Sequence, residues 1–406
     1  MRRARAAAIT ILAALLALAL PAAPIAPGRL PAARTYAAGC TVAPGQPESA
    51  SPWAASRLKL DDVHVLTGGA GVTVAVIDSG LNAGSHPQLT GMTVVPGVNV
   101  MAGATPADTS DCTGHGTAVA GIIAAQPLAG VGFAGIAPAA AILPIKQSST
   151  DRDGTAAGIA AGIRAALARG ARVINISITV ASDDPDLRAA VAEAEAADAV
   201  VVAAAGNTSD NCAPCYPAAY PTVLGVAAST SADAIASYSV AGDYVDIAAP
   251  GDDVATPATF GGFNTAQQLT RGTSFAAPFV SGTAALVISA ATADHQPLSA
   301  AQVRNRLEAT ADSPGLDVPD PHYGYGILNP WLAVTAVGPE APAPNPADSA
   351  QIAAPPIRAP ADRSARDHSL ILGAALVALA ATVLLTAAAT RSRLRAHPAW
   401  PARRLW

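Results

Sequence analysis

Four short segments set reactive side chains beside glycines. Val76-Ile77-Asp78-Ser79-Gly80 puts a carboxylate at the end of a β-branched run, and Gly114-His115-Gly116-Thr117 puts an imidazole at the start of an apolar stretch. Ala205-Gly206-Asn207 puts a carboxamide after another apolar run, and Gly272-Thr273-Ser274-Phe275-Ala276-Ala277-Pro278 puts a hydroxyl at the head of a long apolar segment. A serine hydroxyl is a poor nucleophile until a base removes its proton. Imidazole has the pKa range to take that proton and return it to a leaving group. A carboxylate holds the imidazole in the required tautomer and stabilises the imidazolium. A carboxamide and a backbone N–H at a helix N-terminus stabilise a developing oxyanion. The set therefore predicts acyl transfer, with Ser274 as nucleophile, His115 as base, Asp78 as its orienting partner, and Asn207 with the Ser274 N–H as oxyanion donors. Taken singly, an Asp ending a strand or an Asn after a Gly is ordinary turn chemistry, and a His near Gly is ordinary structure. Four such segments in this order are not ordinary.

Positioning these groups requires a scaffold that ends several elements at one place. Val72–Ile77, Ala141–Ile145, Arg172–Ile178, Ala199–Ala205 and Thr222–Ala227 read as short, nearly continuous apolar strands. Thr117–Ala125, Gly154–Ala168, Leu187–Ala197 and Ser274–Ala290 read as helices between or after them. Strands alternating with helices predict a three-layer α/β domain with a mostly parallel sheet, buried on both faces. Ligands of such sheets bind beyond the carboxyl ends of the strands, where three of the four segments fall. No repeat of fixed period is present, and residues 53–338 read as one catalytic domain.

Charge divides the chain further. Residues 1–38 hold five Arg and no acid, residues 39–340 hold 11 basic and 26 acidic residues, and residues 341–406 hold eight basic and three acidic. The net charge of −5 thus conceals an acidic body between basic ends, which excludes a nucleic-acid binder with a basic face. Arg2, Arg3 and Arg5 precede an apolar run over 6–20, the pattern of an export signal, so 1–38 is expected to hold that signal and the start of an N-terminal extension continuing over 39–52. Residues 339–369 are Pro- and Ala-rich and read as a tether. Residues 370–390 carry no charge and would span about 31 Å as a helix, enough for a bilayer core. The Arg-rich tail 391–406 then belongs in the cytoplasm and the body outside, in a single-pass membrane protein.

Cys40, Cys112, Cys212 and Cys215 allow three pairings. Export makes disulfides the default. A redox unit around Cys212–Cys215 would need a thioredoxin-like context, and an all-cysteine zinc site a second close pair; neither is present. The favoured pairing is Cys212–Cys215 as a local staple and Cys40–Cys112 as a long bridge tying the extension to the body. No metal site, calcium included, is readable, and no cofactor is implied.

The order Asp–His–Ser and the segments VAVIDSG, GHGTAVAG, AAGN and GTSFAAP resemble the subtilisin-like serine proteases. The resemblance implies a serine endopeptidase acting on peptide or protein substrates. It implies that Ser177, Ile178 and Thr179, with Ala205 and Gly206, line the substrate groove, and that His86 in Ser85-His86-Pro87 is structural. Many subtilases have Gly where this chain has Thr179, so a first pocket narrowed toward small residues is expected. Signal, protease domain, tether and apolar span together are similar to the mycosins, membrane-anchored subtilases associated with type VII secretion in actinobacteria. Pro52-Trp53-Ala54, Asp111-Cys112, Ile136-Ala137-Pro138, Ile145-Lys146-Gln147-Ser148-Ser149 and Tyr323-Gly324-Tyr325-Gly326 carry that narrower likeness. It implies few substrates, secreted effectors among them, and a seat with the components of the secretion membrane complex. Too few residues separate the signal from Trp53 for an independent prodomain, so the extension is expected to wrap the body without conventional autoinhibition. Two alternatives stand beside this: a structural subunit whose protease activity is dispensable, and a general degradative cell-surface subtilase.

Overall fold

In the computed structural model of this chain the described residues are 52–149, 154–257 and 270–337, with the backbone of 35–36 and 40–41. The expected export signal, the tether 339–369, the span 370–390 and the tail 391–406 lie outside them. So does the side chain of Cys40. Strand β1 (Thr35–Tyr36) pairs antiparallel with β2 (Cys40–Thr41).

The body is built on an eight-stranded sheet of β3 (Thr73–Asp78), β4 (Thr93–Val94), β5 (Val98–Asn99), β6 (Ala141–Lys146), β7 (Val173–Ile176), β8 (Val200–Ala204), β9 (Val223–Ser229) and β10 (Ile247–Pro250). The spatial order is β10-β9-β8-β7-β3-β6-β4, with β5 also on β6, and every pairing is parallel. From β3 the chain moves to β6 on one side, then returns to β7 on the other. That reversal opens a crevice at the carboxyl end of β3, the usual ligand position of such sheets. The short helices α1 (Trp53–Arg57) and α2 (Leu60–Leu66) precede β3, and the one-turn helix α3 (Pro87–Thr90) follows it.

Alternation along each strand feeds two cores. Val74, Val76, Val173, Val202 and Val226 pack on one face against α4 (His115–Ala124) and α7 (Thr273–Ala293). Ala75, Ile77, Ile145, Ile174 and Ile176 pack on the other against α5 (Ala156–Leu167) and α6 (Pro185–Ala196). Helices α8 (Ala300–Ala309) and α9 (Pro330–Thr335) close the first face.

The expected strands and helices are all present, with ends shifted by a few residues. Strand β10 was not anticipated, because a four-residue Ile-Ala-Ala-Pro run gives no period to read, and neither were the two-residue strands β4 and β5 or helices α1, α2, α3, α8 and α9. Helix α7 is long and apolar enough to cross a membrane by length and composition, yet almost all of it is buried in the body, so it is a core helix. His86 caps α3 by accepting from the Gln88 N–H at 3.2 Å, and burial pushes its pKa down to about 4.

Candidate active site

Asp78 is the last residue of β3 and is fully buried. Its Oδ1 accepts the Ser79 N–H at 2.7 Å and lies 2.8 Å from His115 Nδ1. His115 opens α4, and its approach depends on the next residue. A Cβ on Gly116 would stand 2.3 Å from the Gly80 carbonyl oxygen and 3.1 Å from the Asp78 carboxylate, so only glycine lets the helix start against the strand end. The His115 ring lies 5.0 Å, centroid to centroid, from Phe275, the neighbour of Ser274.

Asp111 holds this junction from below, and the sequence pointed to it only as part of a motif. Its buried carboxylate accepts from the Gly114 N–H at 2.8 Å, the Thr117 N–H at 2.9 Å and hydroxyl at 2.7 Å, and the Ser79 hydroxyl at 3.0 Å. Burial alone would raise its pKa; the hydrogen bonds from Thr117, Gly114 and Ser79 outweigh it and hold the carboxyl below its ordinary range. The Ser79 hydroxyl in turn accepts the Gly116 N–H at 3.0 Å. Lys146 Nζ donates to the Ser79 and Ser110 carbonyls at 2.7 Å each, tying the turn after β3 to the segment that leads into α4.

Ser274 stands in the first turn of α7. Pro278, four residues on, has no N–H, so the Ser274 carbonyl loses its helical partner. The Ser177 hydroxyl donates to it at 2.7 Å. Ser177 is itself held by Asn175 Nδ2 at 2.9 Å, and Ser281 donates to Asn175 Oδ1 at 2.8 Å. The side chain of Ser177 therefore anchors the helix start to β7.

A cleft of about 630 Å³ opens here, lined by His115, Ile178, Thr179, Asn207, Asp210 and Ser274 among others. Ser177 also lines it. Ala204 lines it where the sequence suggested Ala205 and Gly206, which are buried behind the wall. Gly206 has φ of +102°, and a Cβ there would meet Cys215 Sγ at 2.3 Å. The Cys212–Cys215 disulfide is formed and packs against this glycine, buttressing the turn that carries Asn207. Cys112 is disulfide-bonded as well. Among the described residues no group of three His, Cys, Asp or Glu side chains could hold a metal ion.

A buried Asp–His pair and a serine at a helix start share one cleft on a parallel α/β sheet, and the chain belongs to the subtilase family, whose model matches residues 69–326. It is a serine endopeptidase of that family. Subtilisin from Bacillus pumilus is 36% identical over 290 residues, covering 68% of this chain and 96% of its own. The chain is further a homologue of the mycosins. Mycosin-4 of Mycobacterium tuberculosis is 36% identical over 414 residues, covering 91% of this chain and 88% of its own. The crystal structure of MycP1 from the ESX-1 type VII secretion system matches with a TM-score of 0.65 at 31% identity, covering 77% of this chain and 93% of that one.

Proposed function

We propose that Ser274 is the nucleophile, His115 the general base and Asp78 its orienting partner. The observation that carries this is the 2.8 Å contact between His115 Nδ1 and Asp78 Oδ1, opening on a cleft shared with Ser274 and Asn207. The Ser274 hydroxyl gives its proton to His115 Nε2 as its oxygen bonds to the scissile carbonyl carbon. The carbonyl oxygen takes up negative charge, which Asn207 Nδ2 and the Ser274 N–H stabilise. Collapse breaks the C–N bond, and the imidazolium gives its proton to the leaving amine. Water then attacks the acyl-enzyme by the reverse proton path. Ile178 and Thr179 form one wall of the first substrate pocket, and the Thr179 side chain restricts it to small residues.

The rest of the chain sets where this chemistry occurs. A signal within residues 1–38 directs export, 339–369 tether the catalytic domain 53–338, and 370–390 anchor it with the basic tail inside and the body outside. A Cys40–Cys112 bridge fastens the extension to the body. The likeness to Mycosin-4 and MycP1 supports a protease that serves type VII secretion, cleaving a narrow set of secreted proteins and standing with the membrane complex.

The test is peptide hydrolysis by wild type and Ser274→Ala. The variant should lose essentially all turnover; equal turnover would remove Ser274 from the reaction. A cleavage profile favouring large aromatic residues would remove the role given to Thr179. Secretion that survives Ser274→Ala but fails on deletion of the protein would shift the weight from catalysis to scaffolding.

A further inference from the structure

We propose that Asp210 is a positioning residue for the Asn207 carboxamide, holding one of its two N–H bonds so that the other faces the cleft. The inference rests on the reading of Asn207 as an oxyanion donor. Asn207 leads into a single 3-10 turn, Thr208–Asp210. Its Oδ1 accepts the Thr273 N–H at 3.0 Å and the Thr273 hydroxyl at 3.3 Å. A backbone N–H can only donate, so these contacts settle which end of the amide is oxygen. The NH2 end points the other way and donates from Nδ2 to Asp210 Oδ2 at 3.1 Å. The same oxygen accepts the Asn207 backbone N–H at 2.7 Å.

A primary carboxamide has two N–H donors and one acceptor oxygen with two lone pairs. Here the oxygen is filled by Thr273, and one donor is filled by Asp210. One donor remains, and Asn207 itself lines the cleft. The last torsion of Asn is broad and roughly two-fold. Held from the Thr273 end alone, the amide would swing about that torsion, and a donor must be fixed in place before reaction to stabilise charge fully. Asp210 also accepts from the Ser209 hydroxyl at 3.2 Å and lies 3.5 Å from the Thr179 hydroxyl, so it is braced within the cleft wall. Its negative charge opposes the forming oxyanion. Holding and repulsion therefore act in opposite directions at one residue, and substitution can separate them. Alanine removes both; asparagine keeps an acceptor oxygen and removes the charge.

The experiment is steady-state peptide hydrolysis by Asp210→Ala, Asp210→Asn, Asn207→Ala and the Asn207→Ala/Asp210→Ala double variant, with thermal melting of each. Asn207→Ala should lower kcat by about 10²–10³. Asp210→Ala should lower kcat roughly tenfold with KM within about twofold, and Asp210→Asn should restore most of that loss. In the Asn207→Ala background Asp210→Ala should cost less than about twofold more, because its partner is gone. Full kcat in Asn207→Ala overturns the oxyanion reading and this inference with it. An impaired Asn207→Ala with an unimpaired Asp210→Ala, with losses that multiply in the double variant, or with Asp210→Asn as poor as Asp210→Ala, overturns this inference alone.

Discussion

The two helices that carry the site and the two on the opposite face of the sheet start in different ways. On the face without the site, α5 and α6 are capped by their own N-cap residues. Thr155 accepts from the Gly158 N–H, and Asp184 accepts from the Asp186 and Leu187 N–H groups with Pro185 at the first helical position. On the site face, α4 and α7 follow Gly114 and Gly272, with φ of +89° and +146° and no side chain to cap with. Their first N–H groups are met from outside the helix. Asp111 takes the Thr117 N–H of α4, and Asn207, 66 residues away in sequence, takes the Thr273 N–H of α7. Glycine admits the close approach, and the capping duty passes to the residues that build the cleft. Helix starts that serve stability alone are settled locally; those that present His115 and Ser274 are settled by tertiary contacts.

The sharpest way to break this comparison is to disturb the site face where the contact is made. Asp78→Asn keeps the shape of the side chain but removes the charge proposed to orient His115. It should lower kcat by about 10⁴ while leaving the melting temperature within a few degrees. Peptide hydrolysis and calorimetry measure both, and a loss below tenfold would mean that Asp78 does not orient the base. Next in size is Ser177→Ala. It leaves the Ser274 carbonyl without a partner in a helix turn already broken by Pro278. Stability should fall by about 1–3 kcal/mol. Turnover should fall by roughly tenfold, because the residue proposed as nucleophile is displaced. Loss of stability with unchanged kcat would show that the polar chain from Ser281 to Ser274 is structural only.

The same contrast explains what was legible in the sequence. Helix α6 announces itself through Asp184 and Pro185, and Asp78, His115 and Ser274 through glycine-flanked segments, all of them local signals. Helix α7 was legible too, as a long apolar helix of the body with Ser274 at its head, although its composition alone would also suit a bilayer. Asp210 and Ser177 escaped as positioning groups. Asp210 sits in an unremarked Thr-Ser-Asp turn, and the Ser177 partner is 97 residues away. The need for Ser177 was nonetheless written in Pro278, whose missing N–H leaves the carbonyl four residues earlier unpaired. Asp111 was visible as part of a motif, but its function as the remote cap of α4 needed the fold.

Helix α8 extends the comparison to a locally capped element, since Ser299 and Gln302 form a capping box. It carries Glu308 close to Asp246. Burial, and then the Asp246 carboxylate, push the Glu308 pKa up to about 7, while Arg304 opposes the rise. Burial likewise takes Asp246 to about 6. A carboxyl raised in the folded state contributes stability at pH below its ordinary value, and that contribution is lost as pH rises through the folded value. Glu308→Gln should therefore leave the melting temperature unchanged near pH 4 and raise it by a few degrees at pH 8, about 1 kcal/mol once coupling to Asp246 is allowed for. Turnover should not move. A stabilisation equal at both pH values would mean that ionisation of Glu308 is not its cause.

The smallest expected effect lies on the face away from the site. Arg164 of α5 bridges Asp186 at 2.8 Å and Glu193 at 3.0 Å on α6, with all three side chains largely in solvent. Ion pairs in that setting pay side-chain ordering and are screened by salt, so the bridge joins two helices without contributing much to their packing. Packing there comes from Ile159, Ile163, Leu187 and Val191, which the charge does not touch. Arg164→Ala should lower the melting temperature by about 2 °C or less, and 0.5 M NaCl should shrink even that difference. Turnover should match wild type, because Ile77 and its neighbours separate these helices from the cleft. A clear fall in kcat on this substitution would mean that the two faces are mechanically coupled through the sheet, and that locally capped helices also help to hold His115 and Ser274 in register.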